Sequence, residues 1–137
     1  EKGLLKTFGE ALNNLNLKKA LIVNSEDGLD EISPYAITKV VELNSGNIKE
    51  YDFNPKDLNI KTIGFENIIG KDPEYNAEKI REIFQGKDND FSVAVCLNAA
   101  AGLIVAEKST SFKEGYEILR QHILSGEVIK KISKLYK

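Results

Sequence analysis

The sequence contains no methionine, a single cysteine and a single histidine in its 137 residues. One cysteine, Cys96, cannot form a disulfide within the chain, so a reducing, cytoplasmic setting is expected. Zinc binding by cysteine and histidine has no support, because the only histidine, His122, is far from Cys96 in sequence. The absence of methionine, with Glu1 as the first residue, predicts that the chain is a piece of a longer protein.

The sequence also has no excess of positive charge. Its 19 lysines and arginines stand against 21 aspartates and glutamates, for a net charge of −2. Nucleic-acid binding requires a basic surface and is therefore not expected. The most apolar run, residues 91–106, is shorter than the ~20 residues of a membrane-spanning helix and contains Ser92 and Asn98. We expect a core helix there, no membrane association and no secretory signal.

The chain has the patterns of one α/β domain, and its length allows a sizeable core. Apolar residues three and four positions apart predict a helix over residues 2–15. The continuous apolar run 19–23 predicts a strand buried on both faces, as in a parallel sheet. Residues 36–43 and 48–53, separated by Asn44-Ser-Gly-Asn47, predict an antiparallel hairpin.

The C-terminal half is predicted to be helical. Asp72-Pro73 is typical of a helix start, and Ser111 with Glu114 has the spacing of a capping box. Small residues at 99–102 would allow neighbouring backbones to approach closely. Helices are predicted over residues 72–85, 91–108 and 111–125, with a last helix of only one or two amphipathic turns within 128–136. A loop with one short helix precedes them at 54–70. The predicted fold is α/β: part of a mixed sheet, with one parallel-type strand plus a hairpin, covered by C-terminal helices.

Carboxylates are concentrated in the loop 24–33, directly after the first strand. In open α/β sheets ligands bind at the carboxyl ends of strands. Mg²⁺ prefers oxygen ligands and is often held by one or two carboxylates plus substrate phosphates, so Asp27, Asp30 and Glu31 are candidate metal ligands. Such acids also cap helices or lie solvated on the surface, and the pattern alone leaves both interpretations open.

Other side chains are weaker candidates. A packing or surface role is favoured for His122 over general acid–base catalysis, and Cys96 is expected to pack as a small hydrophobe. Asn76 and Asn98 each precede an alanine within a predicted helix. We expect each to satisfy a backbone group or a polar neighbour at a close crossing rather than to contact substrate. No glycine-rich phosphate-binding motif is present.

The loop Glu26-Asp-Gly-Leu-Asp-Glu-Ile-Ser33, after an apolar strand, resembles the Gly-Leu-Asp-Glu signature of anthranilate phosphoribosyltransferases. Further similarities follow in the same order along the chain, at Asp72–Ala77, Leu97–Gly102, Ser111–Gly115 and Ser125-Gly126. The resemblance covers nearly the whole chain. It implies that residues 1–137 are the C-terminal portion of the α/β domain, without the N-terminal helical domain and the pyrophosphate loop.

This family transfers phosphoribosyl from phosphoribosyl pyrophosphate to anthranilate in tryptophan biosynthesis, with Mg²⁺ on the pyrophosphate. The resemblance implies that Asp30 and Glu31 bind this Mg²⁺. It implies no catalytic or substrate-binding residue in this chain, because those residues and the homodimer contact lie in the N-terminal part. The isolated segment is therefore predicted to be inactive.

The sequence departs from the family at Asn24-Ser25, where relatives usually have His-Gly, and this bears on the local loop geometry. Two alternatives stay open. One is a related glycosyltransferase of the nucleoside phosphorylase type. The other is a non-catalytic nucleic-acid-binding protein of the same fold, against which the charge balance argues.

Overall fold

The computed structural model describes residues 2–134. Within this range three strands form one sheet: β1 (Lys19–Ser25), β2 (Thr38–Asn44) and β3 (Asn47–Phe53). The α-helices of the same range are α1 (Leu5–Asn14), α2 (Pro73–Phe84), α3 (Asp90–Val105), α4 (Phe112–Leu124) and α5 (Glu127–Ile132). The predicted helices are thus confirmed, although residues 135 and 136 of the last one lie outside the described residues.

The hairpin is confirmed, with β2 and β3 antiparallel and Asn44 opposite Asn47. Its two turn residues, Ser45 and Gly46, both have positive φ, +49° and +87°. Positive φ at both central positions defines the type I′ turn, whose twist matches that of the flanking strands. The Ser-Gly pair therefore sets the register of the hairpin.

The predicted α/β class is confirmed, but the sheet within residues 2–134 is not mixed, and the difference lies in the first strand. β1 pairs antiparallel with β2, from Lys19 opposite Asn44 to Ser25 opposite Thr38, so the described sheet is antiparallel in the order β1-β2-β3. The apolar run in β1 has another cause. Ile22 faces α1, whereas Leu21 and Val23 pack against the core under α3. A strand covered on both faces is apolar throughout, whatever the direction of its neighbour.

Helix α1 packs on one face of the sheet and approaches it most closely at Gly9. A Cβ atom at Gly9 would lie 2.9 Å from Cγ1 of Val41, so only glycine allows this approach. Leu5 is buried beside it, whereas Phe8 and Leu15, which belong to the apolar stripe of the sequence, are 56% and 76% exposed. The side of α1 that carries Gly9 therefore contacts the sheet, and the side that carries Phe8 and Leu15 faces away from it.

Helices α3 and α4 cover the other face. Leu97 and Ala100 of α3 are fully buried, and the Phe53 and Phe112 rings, from β3 and α4, lie 4.4 Å apart between centroids. The expected close approach at the small residues of α3 is confirmed, because a Cβ at Gly115 of α4 would lie 2.9 Å from the Cβ of Ala100. No helix within residues 2–134 is long and apolar enough to cross a membrane.

Capping explains where these helices begin. The Asp72 carboxylate accepts a hydrogen bond from the Tyr75 N–H at 2.8 Å, as predicted. Helix α3 begins at Asp90, one residue earlier than predicted, because Asn89 and Ser92 form a reciprocal capping box. The segment 54–70 contains two short 3₁₀ turns, Pro55–Leu58 and Phe65–Ile68, rather than one helix.

Helix α4 begins with half of the predicted capping box. The Ser111 hydroxyl accepts from the Glu114 N–H at 3.2 Å. The Glu114 carboxylate does not return to Ser111 but accepts from the N–H and the hydroxyl of Thr110, at 2.7 and 2.8 Å. These bonds lower the pKa of Glu114, since they stabilise its charged form.

Candidate metal-binding loop

The loop that joins β1 to β2, here called the acidic loop, comprises residues 26–37. It holds four carboxylates, of Glu26, Asp27, Asp30 and Glu31, and its sequence has no lysine, arginine or histidine. Its first turn is tight, because Gly28 adopts a φ of +93° that side chains disfavour. The loop therefore concentrates negative charge at the carboxyl end of β1.

Asp27 is used to build the loop. Its carboxylate accepts from the Ser33 hydroxyl at 2.6 Å and from the Leu29 N–H at 3.3 Å. Burial raises the pKa of this carboxyl, but the hydrogen bonds to it outweigh burial and hold the pKa below its ordinary value. Of the three candidate metal ligands in the sequence, Asp27 is thus engaged within the loop.

The buried Ser33 organises the second half of the loop. Its hydroxyl oxygen accepts from the N–H groups of Tyr35 and Ala36, at 3.0 and 3.2 Å, while donating to Asp27. Its own N–H donates to the Thr38 hydroxyl at 3.3 Å. The Ser33 side chain thus connects the first turn of the loop, through Asp27, to the residues that lead into β2.

Ile32 attaches the loop to α3. Its N–H donates to Oδ1 of Asn98 at 2.9 Å, and its carbonyl accepts from Nδ2 of Asn98 at 3.0 Å. The Ile32 side chain is 1% exposed and belongs to the main core. One asparagine therefore satisfies both backbone groups of a buried loop residue, as an adjacent strand would.

Asp90, the first residue of α3, makes a second attachment that sequence reasoning missed. Its Oδ2 accepts from the Tyr35 hydroxyl at 2.8 Å and from the N–H groups of Ile63 and Gly64, at 2.9 and 3.2 Å. The residue is 5% exposed. Burial raises the pKa of Asp90, but these donors outweigh it and lower the pKa, whereas burial and the bond to this carboxylate raise the pKa of Tyr35.

Asp30 and Glu31 differ from every other acid in this arrangement. Both are exposed, and within residues 2–134 neither side chain forms a hydrogen bond or an ion pair. Their neighbours on either side are fixed, Leu29 to the base of the loop and Ile32 to α3. The structure thus holds two adjacent free carboxylates on an anchored backbone.

These two carboxylates fit a hard divalent cation as a partial ligand set. Oxygen donors suit Mg²⁺, which commonly takes one or two carboxylates and completes its shell with water and phosphate oxygens. Among the described residues no third histidine, cysteine, aspartate or glutamate joins them in a metal-binding group. Residues 2–134 thus offer these two carboxylates and no complete ligand set of their own.

Asn24 and Ser25, which stand where relatives usually have His-Gly, lie at the base of the loop. Nδ2 of Asn24 lies 3.5 Å from the Leu29 carbonyl, and the Ser25 hydroxyl donates to the Ile37 carbonyl at 3.4 Å. Ser25 is 1% exposed. Ser25 therefore joins the two ends of the loop, whereas Asn24 contacts its first turn.

The other side chains considered in the sequence have structural roles. Asn76, like Asn98, bonds to both backbone groups of one residue, Lys71, at 3.0 and 3.3 Å, so the prediction for both asparagines is confirmed. Cys96 is 2% exposed, and burial raises the pKa of its thiol to about 11. His122 lies exposed in the last turn of α4, which agrees with a surface role.

A family model described as the glycosyl transferase family, a/b domain, matches residues 1–129. The chain belongs to this family. It is 56% identical over 135 residues to the anthranilate phosphoribosyltransferase of Pelagibacter ubique, and this match covers 98% of the chain and 41% of that relative. The resemblance to anthranilate phosphoribosyltransferases noted in the sequence is therefore confirmed. The chain spans about two-fifths of the length of the curated relatives that it matches.

Solved structures of anthranilate phosphoribosyltransferases have the same fold as this chain. The crystal structure of the Thermus thermophilus anthranilate phosphoribosyltransferase superposes with a TM-score of 0.85 at 31% identity, covering 98% of this chain and 39% of that one. The Saccharomyces cerevisiae enzyme in complex with PRPP and Mg has the same TM-score at 21% identity, covering 97% of this chain and 39% of that one. The second comparison shows the fold alone.

Proposed function

We propose that this chain is the C-terminal portion of the α/β domain of an anthranilate phosphoribosyltransferase. The intact enzyme would transfer phosphoribosyl from phosphoribosyl pyrophosphate to the amino group of anthranilate, releasing pyrophosphate, in tryptophan biosynthesis. The observation that carries this proposal is the 56% identity to one such enzyme along 98% of the chain. The free acidic pair at the carboxyl end of β1 supplies chemistry that suits this reaction.

In this proposal Asp30 and Glu31 supply carboxylate oxygens to Mg²⁺. The bound cation would neutralise charge that develops on the pyrophosphate leaving group. The anchored backbone on both sides of the pair keeps the two carboxylates in place, and Asp27 keeps the loop closed around them. The choice of Mg²⁺ is supported by the Saccharomyces cerevisiae enzyme of the same fold, which was solved in complex with PRPP and Mg.

The rest of the active site would lie outside this chain. Residues 1–137 contain no glycine-rich phosphate-binding motif, and the chain matches only 41% of the Pelagibacter ubique relative. We therefore expect the segment alone to have no transferase activity. The proposal includes a cytoplasmic homodimer whose contact lies in the N-terminal domain, with neither nucleic acid nor membrane as a partner.

A chimera tests the function directly. This chain would replace the matching 41% of the Pelagibacter ubique enzyme, and consumption of anthranilate would be followed by its fluorescence. We expect turnover that depends on phosphoribosyl pyrophosphate and Mg²⁺, and none from the 137-residue chain alone. A folded chimera that consumes a nucleoside and phosphate but no anthranilate would contradict the proposal.

The metal role has its own test in the same chimera. Asp30→Asn and Glu31→Gln keep side-chain size but remove the charge, so we expect kcat to fall by about 10²-fold or more, as when one group that stabilises transition-state charge is lost. Glu26→Gln, in the same loop, is the matched control and should retain most activity. Equal activity of all three variants would refute the assignment.

A further inference from the structure

We infer that Asn98 is a positioning residue for the acidic pair: its side-chain amide fixes the peptide of Ile32 and thereby the neighbouring Glu31. This inference rests on the proposed role of Asp30 and Glu31 in cation binding. Asn98 itself would contact neither the cation nor a substrate.

The Asn98 side chain makes three hydrogen bonds, all of them to backbone groups. Oδ1 accepts from the Ile32 N–H at 2.9 Å, and Nδ2 donates to the Ile32 carbonyl and to the Ala94 carbonyl, each at 3.0 Å. The bond to Ala94, one turn earlier in α3, fixes the side-chain orientation. Both amide protons are thus engaged by backbone carbonyls, one of them in the loop.

Asn98 also lies in a tightly packed part of α3. It lies between Leu97 and Ala100, both 0% exposed, in the part of α3 that packs against α4 and the sheet. The next residue after the acidic pair, Ile32, is itself buried in that core. The position of Glu31 is therefore set by the packed interior, across 66 residues of sequence, rather than by the loop alone.

Groups that orient metal ligands strongly affect metal affinity. Their loss typically weakens binding by about 10- to 100-fold, because the ligands must then be ordered when the cation binds. Replacing Asn98 by alanine or serine changes no charge near the pair, so any loss of affinity would report positioning. Asn76 makes the same pair of bonds to Lys71 on a different loop and offers a matched control.

Mn²⁺ is the probe, because it is paramagnetic and broadens amide resonances near it. In the 137-residue chain we expect Mn²⁺ to broaden the amides of residues 30–32 first. Asn98→Ala and Asn98→Ser should weaken this binding about tenfold, whereas Asn76→Ala should leave it unchanged. In the chimera, the Mg²⁺ concentration that gives half the maximal rate should rise similarly, while kcat at saturating Mg²⁺ is retained.

The outcomes separate the two proposals. If Mn²⁺ binds at residues 30–32 with equal affinity in the wild type and in either folded Asn98 variant, the positioning role is wrong and the metal site stands. If Mn²⁺ binds there neither in the 137-residue chain nor in the chimera with phosphoribosyl pyrophosphate present, both proposals fail. A fall in kcat at saturating Mg²⁺ without a change in Mg²⁺ dependence would also refute positioning, because it would indicate a direct part in the chemistry.

Discussion

Two asparagines of this chain make the same pair of hydrogen bonds in two different settings. Asn98 holds Ile32 across 66 residues of sequence, and Asn76 holds Lys71 across five. Ile32 is buried in the main core, whereas Lys71 is exposed. The same pair of hydrogen bonds thus joins a loop to a distant helix at Asn98 and stabilises a local turn at Asn76.

The two asparagines differ in whether water can replace their hydrogen bonds to the backbone. Water can reach the backbone groups of Lys71 when Asn76 is removed, so little free energy is lost. The N–H and carbonyl of Ile32 have no such substitute, and an unpaired buried polar group costs about 1–3 kcal/mol. The comparison therefore predicts a clear order of effects on the free energy of unfolding.

The largest effect is expected for Asn98→Ala. It leaves two buried backbone groups of Ile32 unpaired, and we expect the free energy of unfolding to fall by about 3 kcal/mol. Urea denaturation followed by circular dichroism measures it. A loss equal to that of Asn76→Ala would show that the burial of Ile32 does not matter.

The second effect concerns Asp90, the other attachment of the acidic loop to α3. Asp90→Asn weakens the acceptor of several hydrogen bonds, and we expect a loss of about 2 kcal/mol near neutral pH. The folded pKa of Asp90 lies below its ordinary value of 3.8, so its stabilising contribution is present above pH 3.8 and is lost as the pH falls through the folded pKa.

Urea denaturation at neutral pH and at about pH 3 tests this sign. The difference in stability between the wild type and Asp90→Asn should shrink at the lower pH, because below pH 3.8 the unfolded wild-type chain binds a proton at Asp90 more readily than the folded one does. A difference that grows on acidification would mean that the charged form of Asp90 destabilises the fold.

A smaller effect is expected for Asn76→Ala. Both bonds to Lys71 are exposed, so we expect a loss of about 0.5–1 kcal/mol, confined to the start of α2. Hydrogen exchange should increase at the Lys71 amide and remain unchanged at the Ile32 amide. Faster exchange at Ile32 would mean that the two regions are coupled.

The smallest effect is expected at the acidic pair. Asp30 and Glu31 are exposed and make no bond within the described residues, so Asp30→Asn and Glu31→Gln should each change stability by less than about 0.5 kcal/mol. Thermal denaturation measures this. A large loss of stability would show that the pair supports the fold, and the proposed metal role would then lose its simplest test.

Local signals in the sequence were sufficient for much of the fold. The Ser-Gly turn placed the hairpin, and Asp72 and Ser111 marked two helix starts, because turns and caps depend on residues a few positions apart. The direction of β1 could not be obtained in this way. An apolar run indicates coverage of both faces, and pairing depends on the path of the following loop.

The candidate site, too, was partly predictable from neighbouring residues and partly set by tertiary contacts. The sequence alone determined the family resemblance, the acidic loop and the pair Asp30–Glu31, because these depend on neighbouring residues in order. Only the tertiary structure decided that Asp27 is engaged, that the pair is free, and that Asn98 and Asp90 hold the loop. The bonds of Asp90 and Asn98 to the loop join groups that are 55 and 66 residues apart, and packing of α3 against the sheet is what brings them within hydrogen-bonding distance.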